Sequence, residues 1–328
     1  MSTVLVIGSN SFSGASFSEF ALRQGAHVIA VSRSPEPVDA LLPYKWNDHG
    51  KLAFHQLSLN DDLDRIMALI RQSESEYVIN FAAQSMVAES WRNPGDWFMT
   101  NTVSTIKLHD ELRKCDFLKR YVHVSTPEVY GSCSGFVTED FAFNPSTPYA
   151  VSRAAADMSL RTFSAAYKFP VVTTRAANVY GPGQQLYRII PRTILFILLG
   201  RKLQLHGGGM STRSFIHIRD VCDATWRILS NGKNGGDYHI STPDALSIRE
   251  LVERICLKLG VRFDDHVEVV GERLGKDAAY HLDSTKIRSE LKWRDRIFLD
   301  QGLDECIRWM RTNFEVLKNQ PYDYLHKP

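Results

Sequence analysis

Short apolar runs recur along the chain, separated by longer stretches in which apolar residues return every three or four positions. Residues 4–7, 27–31, 53–57, 77–81, 120–124, 171–176 and 238–241 read as strands. Between them, 14–24, 61–72, 96–114, 150–167, 188–200 and 247–259 read as helices, the last with Ser247 at its cap. The first strand runs into Gly8, and a short polar turn leads to Gly14 and a helix. Strand, glycine turn and helix open a dinucleotide-binding βαβ unit. Residues 35–48 are Pro-rich and aromatic without clear period. Residues 136–148 form a polar loop whose last residue, Pro148, suits a helix start.

Composition narrows the class. The chain has 328 residues, 44% apolar and 23% charged, enough for a large core in one domain or two close lobes. The net charge of +2 gives no reason to expect nucleic acid as a partner. Five cysteines without a C-x-x-C pair read as reduced thiols of a cytoplasmic protein, so neither a disulfide frame nor a metal site is expected. The first residues enter a strand directly, and no signal peptide is expected. The longest apolar run, 189–199, contains Pro191 and Arg192 and is too short to cross a bilayer, so no membrane partner is expected.

Two places carry candidate chemistry. At the first, the glycine turn offers helix amides to a pyrophosphate, and the second strand ends in Ser32-Arg33-Ser34 with no carboxylate for a ribose 2′-hydroxyl. Arg33 can meet a 2′-phosphate there, or be a solvated loop arginine. The second place runs from Ser125 to Arg153, after the strand at 120–124. Tyr149 and Arg153 are four apart and share a helix face. A cation beside a phenol favours phenolate, and a tuned tyrosine can act as general base on an alcohol. The same spacing also fits a plain surface pair.

The chain resembles the extended short-chain dehydrogenase/reductases, the NAD(P)-dependent sugar-nucleotide epimerase/dehydratase family, over nearly its whole length. It is most similar to the nucleotide-hexose 4,6-dehydratases. The resemblance rests on Gly8, Ser11 and Gly14 in a G-x-x-G-x-x-G place, on Ala82-Ala83-Gln84-Ser85, and on Thr126 ahead of Val129-Tyr130-Gly131. It rests also on Tyr149-x-x-x-Arg153, where the family has lysine, on Asn178-Val179-Tyr180-Gly181-Pro182, and on the Arg213 to Val221 segment.

That resemblance implies an α/β fold: a doubly wound parallel (Rossmann) sheet with a smaller C-terminal α/β substrate lobe. The expected division is 1–177, with a return segment at about 214–242, and 178–328 for the substrate lobe. Implied cofactor residues are Gly8, Ser11, Phe12, Gly14, Arg33, Ser58, Leu59, Ala82, Ala83, Tyr149 and Arg153. The cofactor would be NADP or NAD, with Arg33 favouring NADP. Implied substrate residues are Gln84, Ser85, Asn178, Arg213 and Arg273.

The implied activity is 4,6-dehydration of a nucleotide sugar. Tyr149 removes the 4-hydroxyl proton with Thr126 hydrogen-bonded to that oxygen, Arg153 tunes Tyr149, and Glu128 removes the C5 proton. Glu128 separates this from the same family's 4-epimerases and decarboxylases, which need only Thr126 and Tyr149. Pro127 stands where dTDP-glucose 4,6-dehydratases have an aspartate. Together with Arg153 it leaves a third reading, a cofactor-binding protein with a degenerate site. The family also implies a homodimer built on the 96–114 and 150–167 helices.

Overall fold

The computed structural model describes residues 2–50, 52–133, 135–271 and 281–327. Seven strands form one sheet: β1 (Thr3–Ile7), β2 (His27–Ser32), β3 (Leu52–Gln56), β4 (Tyr77–Asn80), β5 (Arg120–Val124), β6 (Val171–Ala176) and β7 (Asp237–Ile240). Their order is β7-β6-β5-β4-β1-β2-β3, and every pairing is parallel. Parallel pairing needs a crossover each time, which puts helices on both faces and buries both faces of the central strands. Val4, Leu5 and Val6 of β1 are accordingly fully buried. This is the Rossmann-type doubly wound sheet.

The strand order reverses at β1. The chain runs outward one way through β2 and β3, then returns to lay β4 on β1's other side. The crevice beyond the carboxyl ends of β1 and β4 is therefore the topological switch point, where open α/β sheets bind ligands. The helices α1 (Phe12–Arg23), α2 (Leu63–Gln72) and α4 (Pro148–Tyr167) cover the sheet. The helix α3 lies between α2 and α4 and is made of Pro94–Phe98, Met99–Ser104 and Thr105–Leu112.

One difference from the sequence reading lies in α3. A regular helix over 96–114 is expected, but Met99–Ser104 has π geometry. Asn101 in that turn is fully buried. Its side chain accepts from Gln84 N (2.8 Å) and donates to Gln84 O (3.0 Å) and Ser152 Oγ (3.0 Å). Those bonds offset the poorer helix geometry and tie α3 to the loop after β4 and to α4.

A second apolar core gathers Ile190, Ile194, Leu195, Leu251, Ile255, Leu303 and Met310. They come from α5 (Ile189–Leu198), α7 (Ile248–Leu259) and α8 (Leu299–Thr312). Ser247 and Glu250 close a reciprocal capping box at the start of α7. The helix α6 (Ile218–Asn231) packs instead on the sheet, placing Ile218, Cys222 and Leu229 beside Val4, Val6 and Val122. None of the five cysteines forms a disulfide. Among the described residues, no helix is long and apolar enough to cross a membrane, and no cluster of metal-binding side chains occurs.

Candidate active site

The turn after β1 has the shape a dinucleotide needs. Gly8 has φ +81°, and a Cβ there would lie 2.6 Å from Ala82 N; a Cβ on Gly14 would lie 2.2 Å from Gly8 O. Only glycine lets this turn pass so close to the end of β4. Ser11, in the middle glycine's place, caps α1: its Oγ accepts from Gly14 N (3.1 Å) and donates to Gly8 O (2.7 Å). Asn10, a residue the motif does not mark, donates to Ser34 O (2.9 Å) and Pro35 O (3.1 Å) and ties the turn to the end of β2.

Above this turn lies a cavity of about 360 Å³. Of the expected cofactor residues, Gly8, Ser11, Arg33, Ser58, Leu59, Ala82 and Ala83 line it. Phe12 does not: its ring is buried in the core with Val6, Ile79 and Val122, because the helix start turns that side chain toward the sheet. Gly14 stands behind Gly8 and acts by its missing Cβ. Ser58 spends its hydroxyl on Asp61 (2.8 Å).

Gly8→Ala is expected to cost about 1–3 kcal/mol from backbone strain and to weaken dinucleotide binding. A thermal melt and a cofactor titration check this; a variant matching wild type in both would refute it.

The second constellation gathers on α4 and the single turn Pro127–Tyr130. Thr147 caps α4 by accepting from Ala150 N (3.1 Å), and Pro148 follows, which places Tyr149 in the first turn. Val129 and Tyr130 pack against Ala154 of α4 and hold the turn beside the helix. Thr126 Oγ1 accepts from Glu128 N (3.4 Å) and donates to Glu128 Oε2 (3.0 Å). Thr126 and Tyr149 are both buried.

The Tyr149 phenol departs from the expected direction. Burial first, and the Glu128 carboxylate second, push it up to about 12. Arg153, the Thr126 hydroxyl and Arg188 pull it down, but not enough to reverse the shift. Arg153 thus acts with the expected sign and is outweighed. Its reach is also not that of a surface pair. It is 1% exposed, and its Nη2 donates to Val124 O and to His123 Nε2 (3.3 Å). Among the described residues its Nε has no hydrogen-bond partner.

Arg188, at the start of α5, was not marked by any motif. Its Nη2 donates to Ser85 Oγ (3.4 Å), which brings a second cation toward Tyr149. Gln84 lines the cavity, and its Nε2 donates to Lys327 O (2.6 Å). Asn178 and Arg213 lie elsewhere: Asn178 opens a strand, Asn178–Tyr180, that pairs with Phe215–His217, and Arg213 pairs with Leu246. Asn178 donates to Ser214 O (3.4 Å) and Arg213 to Thr212 O (2.8 Å), and neither lines the cavity. Arg273 lies outside the described residues.

A buried ionic network backs this site. Asp157 of α4 accepts from Ser125 Oγ (2.6 Å) and Arg175 Nη2 (2.7 Å), and His123 Nε2 lies 3.4 Å from it. Burial works to raise the Asp157 carboxyl, and the Arg175 guanidinium, helped by the Ser125 hydroxyl, outweighs it, holding it well below the usual range. Burial also lowers the His123 pKa. Arg153 can only donate, so His123 Nε2 accepts from it.

The glycine turn beneath the cavity permits the close backbone approach a dinucleotide needs, whereas Tyr149 and Arg153, expected beside the cofactor, do not line that cavity. The family model for GDP-mannose 4,6 dehydratase matches residues 5–306. The dTDP-glucose 4,6-dehydratase of Xanthomonas campestris pv. campestris is 31% identical, covering 95% of this chain and 94% of the relative. The human dTDP-D-glucose 4,6-dehydratase is 32% identical over 77% of this chain and 74% of its own. Among solved structures, the dTDP-glucose 4,6-dehydratase DesIV of Streptomyces venezuelae, with NAD bound, superposes with TM-score 0.88 at 30% identity, over 95% of this chain and 98% of that one.

Proposed function

The chain belongs to the GDP-mannose 4,6-dehydratase family, and from that premise we propose the reaction and the part each residue takes in it. It is an NAD(P)-dependent sugar-nucleotide 4,6-dehydratase, a lyase that converts a nucleotide hexose to its 4-keto-6-deoxy form. The observation that carries the residue roles is the cluster of Thr126, Glu128 and Tyr149, with a carboxylate hydrogen-bonded to the threonine hydroxyl beside a buried phenol.

A nicotinamide dinucleotide held over Gly8, Ser11, Ala82 and Ala83 would supply the hydride acceptor for oxidation at C4 and the hydride donor for reduction at C6. Tyr149 accepts the 4-hydroxyl proton, and Thr126 holds that oxygen. With only protein groups around it the phenol is protonated at neutral pH, and Arg153 and Arg188 are the chain's own cations that favour the phenolate. The 4-keto group makes the C5 hydrogen acidic, and Glu128 removes it. Pro127 has no proton to give, so Glu128 passes a proton to the departing C6 hydroxyl, which leaves as water. A solvent proton then returns to C5. Incubating the protein with a panel of nucleotide hexoses and reading the products by mass spectrometry tests this. Loss of water gives a 4-keto-6-deoxy product, whereas an unchanged mass with inverted C4 means a 4-epimerase.

Three finer readings follow the same premise. The first is a preference for NADP. Arg33 lines the cavity at the end of β2, and Ser32-Arg33-Ser34 holds no carboxylate to receive a 2′-hydroxyl. Arg33→Ala is expected to lose that preference, read from the cofactor released on denaturation and from titrations with both dinucleotides. Release of NAD alone, with selectivity unmoved by the change, refutes it.

The second is a homodimer through α3 and α4. Met99 and Val103 of α3 and Val151 and Met158 of α4 are exposed apolar residues on these two helices. Sedimentation should show a dimer, with Met158→Glu shifting it toward monomer; a monomeric wild type excludes it. The third is a nucleotide-sugar diphosphate site toward Asn178 and Arg213, beyond the dinucleotide cavity.

A further inference from the structure

The segment from Tyr322 to Lys327 leaves the second lobe and crosses the mouth of the dinucleotide cavity. It is pinned at the second lobe, where Arg192 Nη1 donates to Tyr322 O (3.0 Å) and Tyr187 meets Tyr324 edge-on at 5.5 Å. It is pinned again on α3: His326 Nε2 lies 2.6 Å from Asp96 Oδ2, and its ring stacks on Trp97 at 4.9 Å.

Lys327 bridges the cavity. Its carbonyl accepts from Gln84 Nε2 (2.6 Å) beyond β4, and its Nζ donates to Ser34 Oγ (3.3 Å) beyond β2. Those two strands flank β1, so the residue passes over the glycine turn. The β2 end of the cavity then has Arg33 and Lys327 as cations and Ser34 as a hydroxyl. The acid nearest in sequence, Glu36, is engaged by Tyr44 (2.8 Å) and Lys45 (2.7 Å).

We propose that Lys327 is a specificity-determining residue for the cofactor, brought over the cavity by the 322–327 segment to bind the 2′-phosphate of NADP together with Arg33. The proposal deepens the NADP reading and rests on it. An ammonium is a compact point charge that suits phosphate, and its bond to one is charge-assisted. The serine hydroxyl that Lys327 now meets orients the ammonium toward the ribose end. The segment also gives Gln84, expected beside the sugar, a hydrogen bond to the Lys327 carbonyl.

The test is titration calorimetry of the full chain with NADP, NAD and 2′,5′-ADP. Lys327→Gln should weaken NADP and 2′,5′-ADP about ten-fold and leave NAD unchanged, with Lys327→Arg restoring most of the affinity. Their binding should also lose salt sensitivity in Lys327→Gln. His326→Ala, which releases the segment without touching Lys327, should lower NADP selectivity in the same direction. If Arg33→Ala abolishes selectivity while Lys327→Gln leaves NADP binding intact, the role of Lys327 is overturned and the NADP reading stands. An equal loss for NAD and NADP in Lys327→Gln makes the residue a lid contact and overturns the proposal. If wild type binds NAD at least as tightly as NADP, and Arg33→Ala changes neither, the NADP reading fails and this inference with it.

Discussion

Glu128→Gln is expected to slow formation of the dehydrated product by about 10²–10⁴-fold, the usual cost of a positioned base. The change keeps the side chain's shape and removes its basicity. Thr126 can still donate to the amide oxygen, so the Pro127–Tyr130 turn and the binding of cofactor and substrate should survive. Run in deuterated water, wild type should place deuterium at C5 of the product, and Glu128→Gln should lose that exchange in parallel with the dehydration rate. Tyr149→Phe should fail earlier, at oxidation of C4, and show neither exchange nor product. This contrast separates the two residues' tasks. A Glu128→Gln protein that turns over a nucleotide hexose at the wild-type rate means the carboxylate only holds the turn, and the epimerase chemistry becomes the better account.

Asp157→Asn is expected to destabilise the fold by about 3–5 kcal/mol, because it removes the nearer, fully buried counter-charge of a buried guanidinium. Arg175 and Asp157 are both fully buried, and Arg175 keeps only Asp237 at 3.5 Å. The network joins β5, α4 and β6, the three elements that position Ser125, Thr126 and Tyr149.

The same bond sets an acid limit. The Asp157 carboxyl is held below its unfolded value. Its contribution is therefore present above the ordinary aspartate range near ~3.9 and is lost as pH falls below it toward the folded value. Urea midpoints at neutral pH should differ between wild type and Asp157→Asn by the stated amount, and the difference should shrink on acidification. Equal midpoints at neutral pH would show that the network contributes nothing net, as buried ion pairs sometimes do.

Much of this molecule is legible in the order of residues. Strand and helix positions follow from local hydrophobic period, and the approach of Gly14 to Gly8 O from backbone sterics within seven residues, whereas what Gly8 itself clears is Ala82 at the end of β4. Ser247 ahead of Glu250 announces its capping box for the same reason. The candidate base, carboxylate and hydroxyl are implied by resemblance, because Thr126, Glu128 and Tyr149 stand at the motif positions of the family the chain is similar to.

What spacing could not settle were quantities fixed by groups distant in the chain. Arg153 shares a face with Tyr149, yet where its guanidinium goes is set by the Val124 carbonyl and His123, about 30 residues back. The Tyr149 phenol shifts upward because burial and Glu128 outweigh two cations, and one of these, Arg188, arrives from another helix. The π turn at Asn101 depends on partners at Gln84 and Ser152. Lys327 meets Ser34 across 293 positions. Local sterics and period act over a few residues, whereas burial, charge pairing and cavity walls exist only once distant segments pack.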